Sequence, residues 1–259
     1  MSSPTIVFAG DREIAVNVLE FLTSKDITIA ALLLPDTESA SHDDDLLEMC
    51  GYLDQTRVLR GEKFRTPNGK EILSNIDPDY ILSIHYQYIY PKEVLEIPTH
   101  GVVNLHPAYL PFNRGWHTPS WAILDETPYG ATLHVMEESV DSGDIIARKQ
   151  IEIQPDDTAD SLYNRVLDAE EELFKQTWSD LADFSYNTIP QPEEKAISHK
   201  RDELQKVQEI DLDGSAKAGE VIKKLRALTT NKINESAYYK VDGERYHIQV
   251  NIVSESELK

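Results

Sequence analysis

The sequence predicts an α/β fold: a mainly parallel sheet with helices on both faces, followed by a small C-terminal helix and β-hairpin subdomain. Two observations carry this expectation. Short apolar, β-branched runs alternate with segments of helical periodicity through residues 1–185. Strands alternating with helices form parallel sheets that are buried on both sides. Near the C-terminus the pattern changes, with Asp242-Gly243 separating YYKV from RYHIQV; Asp-Gly is a strong hairpin signal.

In order along the chain, residues 5–10 (TIVFAG) read as a buried strand ending in Gly. Residues 12–24 place Ile14, Val18, Leu19 and Leu22 on one helical face. Strands are expected at 28–34 and 80–84, with helices at 46–55 and 67–75 between them. After Gly101 come a strand at 102–105, a helix around 119–124, a strand at 131–136 and a more exposed strand at 145–153. Residues 159–184 form a long helix rich in Glu and Leu. Two prolines and two glutamates mark 188–194 (TIPQPEE) as a linker. The expected division is therefore one larger domain, 1–187, and a linker with a small subdomain, 188–259. In the latter, 216–228 reads as a helix and 237–253 as the hairpin.

Charge narrows the partners. Lys and Arg number 25 against 46 Asp and Glu, a net charge of −21. It is unevenly spread: residues 1–185 hold 13 basic and 33 acidic residues, whereas 186–259 hold 12 and 13. Nucleic-acid affinity comes mainly from Lys and Arg neutralising phosphates, so a nucleic-acid partner is not expected. An anionic membrane surface is disfavoured on the same ground. The apolar run at 27–34 is too short to span a bilayer, and MSSPTIVFAGD lacks the basic n-region of a signal peptide. A single cysteine, Cys50, excludes an internal disulfide framework and any multi-Cys zinc site. These features point to a soluble protein of a reducing cytoplasm. The triplet Asp43-Asp44-Asp45 reads as a solvated loop or helix start. No dinucleotide cofactor is expected, because the turn Ala9-Gly10-Asp11-Arg12-Glu13 is not G-x-G-x-x-G.

Residues 101–145 carry the chemistry. Asn104 and His106 are two apart in an extended run, so their side chains share a sheet face. Pro107 ends the strand and leaves both at its carboxyl end, where α/β sheets build their sites. Asp141 follows in the tight turn Val-Asp-Ser-Gly-Asp. Together the three suit acyl transfer to an amine. Asn can donate to the oxyanion that forms when a carbonyl is attacked. His can take the proton of the attacking nitrogen, and a neighbouring carboxylate raises the His pKa and fixes its tautomer. His100, His106, His117 and Asp141 lack the H-x-x-x-H or H-E-x-x-H spacing of a metal site, so no metal is expected.

The segments N-L-H-P-A-Y-L-P and V-D-S-G-D-I resemble the folate-dependent formyltransferases, whose Rossmann-like domain carries an Asn-His-Asp triad. The resemblance covers residues 1–180. It implies Asn104, His106 and Asp141 as that triad and 10-formyltetrahydrofolate as co-substrate. Residues 84–89, namely Ile84, His85, Tyr86, Gln87, Tyr88 and Ile89, are similar to the family segment whose backbone holds the pterin. Asp144 is expected behind the triad or facing the folate.

Among the branches, the run Tyr109–His117 (YLPFNRGWH), the later W-A-I and the closing hairpin resemble the sugar-nucleotide N-formyltransferases. This branch implies a dTDP-linked aminodideoxysugar as acceptor, with dTDP-4-amino-4,6-dideoxyglucose favoured, for surface glycans such as lipopolysaccharide O-antigen. It also implies a homodimer formed through the hairpin. Arg12, Arg114, Lys200 and Arg201 are the candidate diphosphate contacts, and Asn113 or Trp116 would meet the sugar or base. A methionyl-tRNA formyltransferase would be expected to carry a larger, basic C-terminal domain. A 10-formyltetrahydrofolate hydrolase and a non-catalytic sensor of folate or sugar nucleotide are the remaining alternatives.

Overall fold

The computed structural model describes residues 3–258. The chain begins with the expected alternation: β1 (Ile6–Gly10), α1 (Arg12–Ser24), β2 (Ile29–Leu34) and α2 (Asp43–Met49). It continues with β3 (Val58–Arg60), α3 (Pro67–Ile76), β4 (Tyr80–Ile84), α4 (Lys92–Leu95) and β5 (Val102–His106). Then follow β6 (Arg114–Gly115), α5 (Thr118–Leu124), β7 (Tyr129–Val135), β8 (Ile145–Ile151) and α6 (Ala159–Ala182). The last elements are β9 (Ser198–His199), α7 (Ala218–Ala227), β10 (Ala237–Val241) and β11 (Glu244–Ile248).

The main sheet has the order β3-β2-β1-β4-β5-β7-β8. The first five of these strands are parallel, and β5 pairs with β7 antiparallel. Strand order reverses between β1 and β4, which opens a crevice at their carboxyl ends. Strands β1 and β4 are wholly buried, as continuous apolar runs in a parallel sheet should be. On α1 the predicted face is the buried one: Ile14, Val18, Leu19 and Leu22 are each at most 2% exposed. The three aspartates open α2, where a negative charge complements the helix dipole, and Asp43 also pairs with Arg60 at 2.6 Å. Strand β3 is an element the sequence reading did not include.

The chain divides into two compact, interleaved units. The first runs to His106 and takes in Thr132–Arg148 and Glu170–Gln191. One of its cores gathers Val7, Leu33, Phe64, Leu73, Ile81 and Tyr90. The second comprises Pro107–Ala131, Lys149–Ala169 and the chain from Pro192 onward. Its core joins Trp121 of α5 to Leu204, Leu228 and Ala237. The expected boundary at 187/188 lies four residues before the last crossing between units, at 191/192. In the hairpin, Asp242 and Gly243 both have positive φ, 50° and 85°, as the anticipated two-residue turn requires.

Candidate active site

Asn104 and His106 stand on β5 with their side chains on one face, and both residues are 8% exposed. Antiparallel pairing sets His134 of β7 opposite Asn104, and Thr132 opposite His106. After β7 the chain reverses through the Val-Asp-Ser-Gly-Asp turn and returns Asp141, also 8% exposed. The carboxylate lies between two imidazoles: Oδ2 is 3.4 Å from His106 Nε2, and Oδ1 is 3.6 Å from His134 Nε2. Asn104 Nδ2 is 3.1 Å from that same His134 nitrogen. The three residues named from sequence are therefore gathered within the first unit, and His134 joins them.

The turn that presents Asp141 is constrained. Asp141 has φ +50°, a left-handed backbone that costs a non-glycine residue roughly 1–2 kcal/mol. Two positions behind it, a Cβ on Gly143 would fall 1.9 Å from the Val135 carbonyl oxygen, so only glycine fits. Gln191 locks the turn by donating Nε2–H to the Asp141 carbonyl at 2.9 Å and the Gly143 carbonyl at 2.7 Å. Ile189, the second residue of the segment read as a linker, pairs with Ile145 through both backbone hydrogen bonds.

Burial sets the protonation of His106. It is the largest influence and drives the His106 pKa below its ordinary value near 6.5, while Asp141 pulls in the opposite direction. His134 and His85 add to the lowering, and Glu170 opposes it. The carboxylate thus acts with the sign the sequence implied, but desolvation outweighs it, and the imidazole is neutral at pH 7. Among the described residues His106 Nε2 has no hydrogen-bond partner. A buried imidazole nitrogen that makes no hydrogen bond, with a carboxylate oxygen 3.4 Å away to stabilise the cation, is suited to take up a proton.

A second buried pair adjoins the end of β4. His85, with φ +51°, directs Nε2 at both oxygens of Glu170, each 2.9 Å away. Their side chains are 4% and 0% exposed. Beyond His85, the Tyr86 hydroxyl donates to the Gly61 carbonyl, Gln87 Nε2 to Ser39, and the Tyr88 hydroxyl to the Asp36 carboxylate. Ile84 is buried within β4, whereas Ile89 is 61% exposed. Asp144 accepts from the Thr188 hydroxyl through its side chain and from the Val135 amide through its carbonyl.

Of the cations proposed from sequence, Arg12 is exposed at the start of α1 in the first unit, with φ +67°. The others fall in the second unit, where β6 and β9 pair and bring residues 114–116 beside 198–201. Gly115 (φ +92°) allows this approach, since a Cβ there would meet the His199 carbonyl at 2.4 Å. Arg114 is 5% exposed and donates to Glu193, whose carboxyl it holds below the usual range. The Arg201 guanidinium lies 4.8 Å over the Trp116 ring, and Lys200 is exposed. Asn113 is fully buried and donates to Thr127, while its carbonyl oxygen has no hydrogen-bond partner among the described residues. Sequence reasoning passed over His199, whose ring stacks on Trp121 at 4.0 Å. No group of three or more His, Cys, Asp or Glu that could hold a metal ion occurs among the described residues.

Comparison with known proteins identifies the family. Residues 35–178 match the formyl transferase family, and residues 203–254 match the N-formyltransferase dimerization C-terminal domain. The methionyl-tRNA formyltransferase of Myxococcus xanthus is 34% identical over 236 residues, 88% of this chain and 74% of that protein. The dTDP-4-amino-4,6-dideoxyglucose formyltransferase of Mycobacterium tuberculosis is 29% identical over 174 residues, 66% of this chain and 72% of that protein. In fold, a sugar N-formyltransferase from a Shewanella species superposes with a TM-score of 0.82 at 23% identity, covering 97% of this chain and 99% of that one. With the matched region spanning more than half of its length and a relative 34% identical over 88% of it, this chain belongs to the formyl transferase family.

Proposed function

We propose that this enzyme moves a formyl group from 10-formyltetrahydrofolate to the amine of a dTDP-linked aminodideoxysugar, with dTDP-4-amino-4,6-dideoxyglucose as acceptor. The observation that carries this reading is the buried constellation of Asn104, Asp141 and a neutral His106. As the amine nitrogen bonds to the formyl carbon, Asn104 donates an N–H to the oxygen that becomes negative. His106 Nε2 takes the proton released by that nitrogen, and Asp141 stabilises the resulting imidazolium. The bond between the formyl carbon and N10 then breaks, and His106 returns its proton to N10. The products are a formamido sugar and tetrahydrofolate. Proton transfer of this kind contributes roughly 10²–10⁴-fold, and one oxyanion donor about 10²–10³-fold.

The side chains of His85, Tyr86, Gln87 and Tyr88 are engaged within the protein. The strap at 84–89 therefore offers the pterin its main-chain groups and the exposed Ile89, and Asp144 is assigned to the folate as well. Arg12, Lys200 and Arg201 are assigned to the diphosphate, joined by Arg114 with part of its charge answered by Glu193. Asn113 and Trp116 are assigned to the sugar or base. A homodimer through the C-terminal hairpin completes the assignment, and the product is destined for surface glycan in a cytoplasmic pathway.

The 34% identity to a methionyl-tRNA formyltransferase favours a second reading, with aminoacyl-tRNA as acceptor. Charge weighs against it, because residues 1–185 hold only 13 cations to neutralise phosphates, against 33 acidic residues that repel them. The match of 203–254 to a dimerization domain also favours the sugar branch. The test is tetrahydrofolate release with four acceptors: dTDP-4-amino-4,6-dideoxyglucose, its 3-amino isomer, methionyl-tRNA, and water alone. Release with the 4-amino sugar is expected. Release only with methionyl-tRNA, release without acceptor, or none in any arm would each overturn the reading.

A further inference from the structure

Asn104 and His134 are directly opposed on antiparallel β5 and β7, which puts both side chains on one face. His134 is fully buried, and its two ring nitrogens meet different kinds of partner. Nδ1 lies 3.0 Å from the Val135 carbonyl oxygen. A carbonyl can only accept, so Nδ1 carries the proton, and a neutral imidazole then presents Nε2 as a lone pair. That lone pair lies 3.1 Å from Asn104 Nδ2, which can only donate. One contact fixes the histidine tautomer, and the tautomer in turn fixes which end of the Asn104 amide faces β7.

We infer that His134 is a positioning residue for formyl transfer: its Nε2 lone pair holds the Asn104 amide with nitrogen toward β7. This inference rests on the role given to Asn104 above. The amide nitrogen has two hydrogens. One is held by His134, and the other remains for the oxygen that gains charge in the transition state. With the amide rotated by half a turn, that oxygen would face Asn104 Oδ1, an acceptor against an acceptor. Asp141 Oδ1 lies 3.6 Å from the same His134 nitrogen. In the Nδ1–H tautomer His134 has no proton to give it, whereas the other carboxylate oxygen lies 3.4 Å from His106 Nε2. The two rings meet edge to face, with centroids 6.3 Å apart.

Three substitutions separate this role from mere packing. In His134→Gln the side-chain amide reaches the Nε2 position and its carbonyl can accept from Asn104. In His134→Asn the amide reaches only the Nδ1 position, and His134→Leu has no acceptor. Expected are kcat within about fivefold of wild type for Gln, and losses of roughly 10–100-fold for Asn and Leu, bounded by the loss of one oxyanion donor. The KM for folate should stay within about threefold throughout. Equal kcat for Gln and Asn, or a loss confined to KM, would overturn the inference, and the Gln–Asn contrast decides even where Leu fails to fold.

A readout independent of turnover is the ¹⁵N spectrum of ring-labelled histidine, with the His134 signal assigned by its absence in the Gln variant. An Nδ1-protonated, Nε2-unprotonated ring at pH 7.5 supports the inference, and the opposite tautomer overturns it. If wild-type enzyme transfers formyl to no amine, the proposed reaction fails while this spectrum still decides the tautomer.

Discussion

Gln191 Nε2 donates to the main-chain oxygen of Asp141 at 2.9 Å, and the same nitrogen also reaches the Gly143 carbonyl at 2.7 Å. A side chain from the segment after α6 thus holds the turn that presents the Asp141 carboxylate in its left-handed conformation. Gln191→Ala leaves two carbonyls without this donor, and a buried unsatisfied group costs about 1–3 kcal/mol. At roughly 2–4 °C per kcal/mol for a chain of this size, Tm should fall by several degrees. Assayed well below that Tm, kcat should still fall at least tenfold, because Asp141 is released. Gln191→Glu should be worse than Ala, since a carboxylate would face two carbonyl oxygens. An Ala variant that melts early but turns over normally would reduce Gln191 to a purely structural role.

His106 is the proposed proton acceptor, so His106→Asn should remain folded and lose roughly 10²–10⁴-fold in kcat. Asp141→Asn should do nearly the same, because the imidazolium formed during transfer loses its counter-charge. Circular dichroism checks the fold, and tetrahydrofolate release checks turnover. Near-normal turnover in either variant would remove the triad assignment.

The pH dependence follows from the direction of the His106 shift. Burial drives its pKa below 6.5, so the neutral, proton-accepting form persists to lower pH than for an exposed histidine. The acid limb of kcat/KM, which reports the free enzyme, should therefore have its midpoint below 6.5. Asp141 is the largest opposing influence. Removing its charge in Asp141→Asn should move the midpoint of the residual activity further down. A midpoint above 6.5 in wild type, or an upward move in the variant, contradicts the protonation scheme.

The legible part of this protein was local. Asn104 and His106 could be read because two residues of an extended run share a face and Pro107 ends it, and Asp141 because its turn signature is dense. The α1 core residues followed from helical spacing in the same way. What the sequence hid depends on long-range register. His134 sits in the apolar run ATLHVM and acquires meaning only once β7 pairs antiparallel with β5, placing it opposite Asn104. Glu170 is one of three successive glutamates in α6, and only packing sets it apart as the buried partner of His85. Gln191 lay within a proline-rich stretch that read as a connector, and Glu193, which meets Arg114, lies 79 residues from it.

The two cationic stretches of the second unit should respond differently to truncation. Arg201 is exposed and stacked on Trp116, so Arg201→Ala should leave Tm within about 1 °C. Its effect should be a severalfold rise in KM for the sugar nucleotide, with folate KM unchanged. Arg114 is buried against Glu193, so Arg114→Ala should weaken sugar-nucleotide binding more than folate binding and also lower Tm. Calorimetric titration with dTDP and with a folate analogue separates the two ligands. Equal weakening of both would contradict the nucleotide assignment.

The hairpin offers the last test. Two-stranded hairpins are marginally stable alone in water. Ala237 and Tyr238 anchor β10 in the second unit, but Val241, Tyr246 and the following Val253 are 41–44% exposed. Tyr246 stacks on Tyr239 across the pair, with centroids 5.5 Å apart, leaving an aromatic ladder open on one side. Residues 203–254 match a dimerization domain, and a second copy is the proposed cover for this face. An aspartate at an exposed position of a monomer changes stability by only about 0.5 kcal/mol. At a self-complementary interface the same residue is buried twice, and without a partner charge each copy is costly. Val241→Asp combined with Tyr246→Asp should therefore halve the mass measured by light scattering while circular dichroism stays that of the folded chain. A double variant that keeps the wild-type mass would place the dimer contact elsewhere.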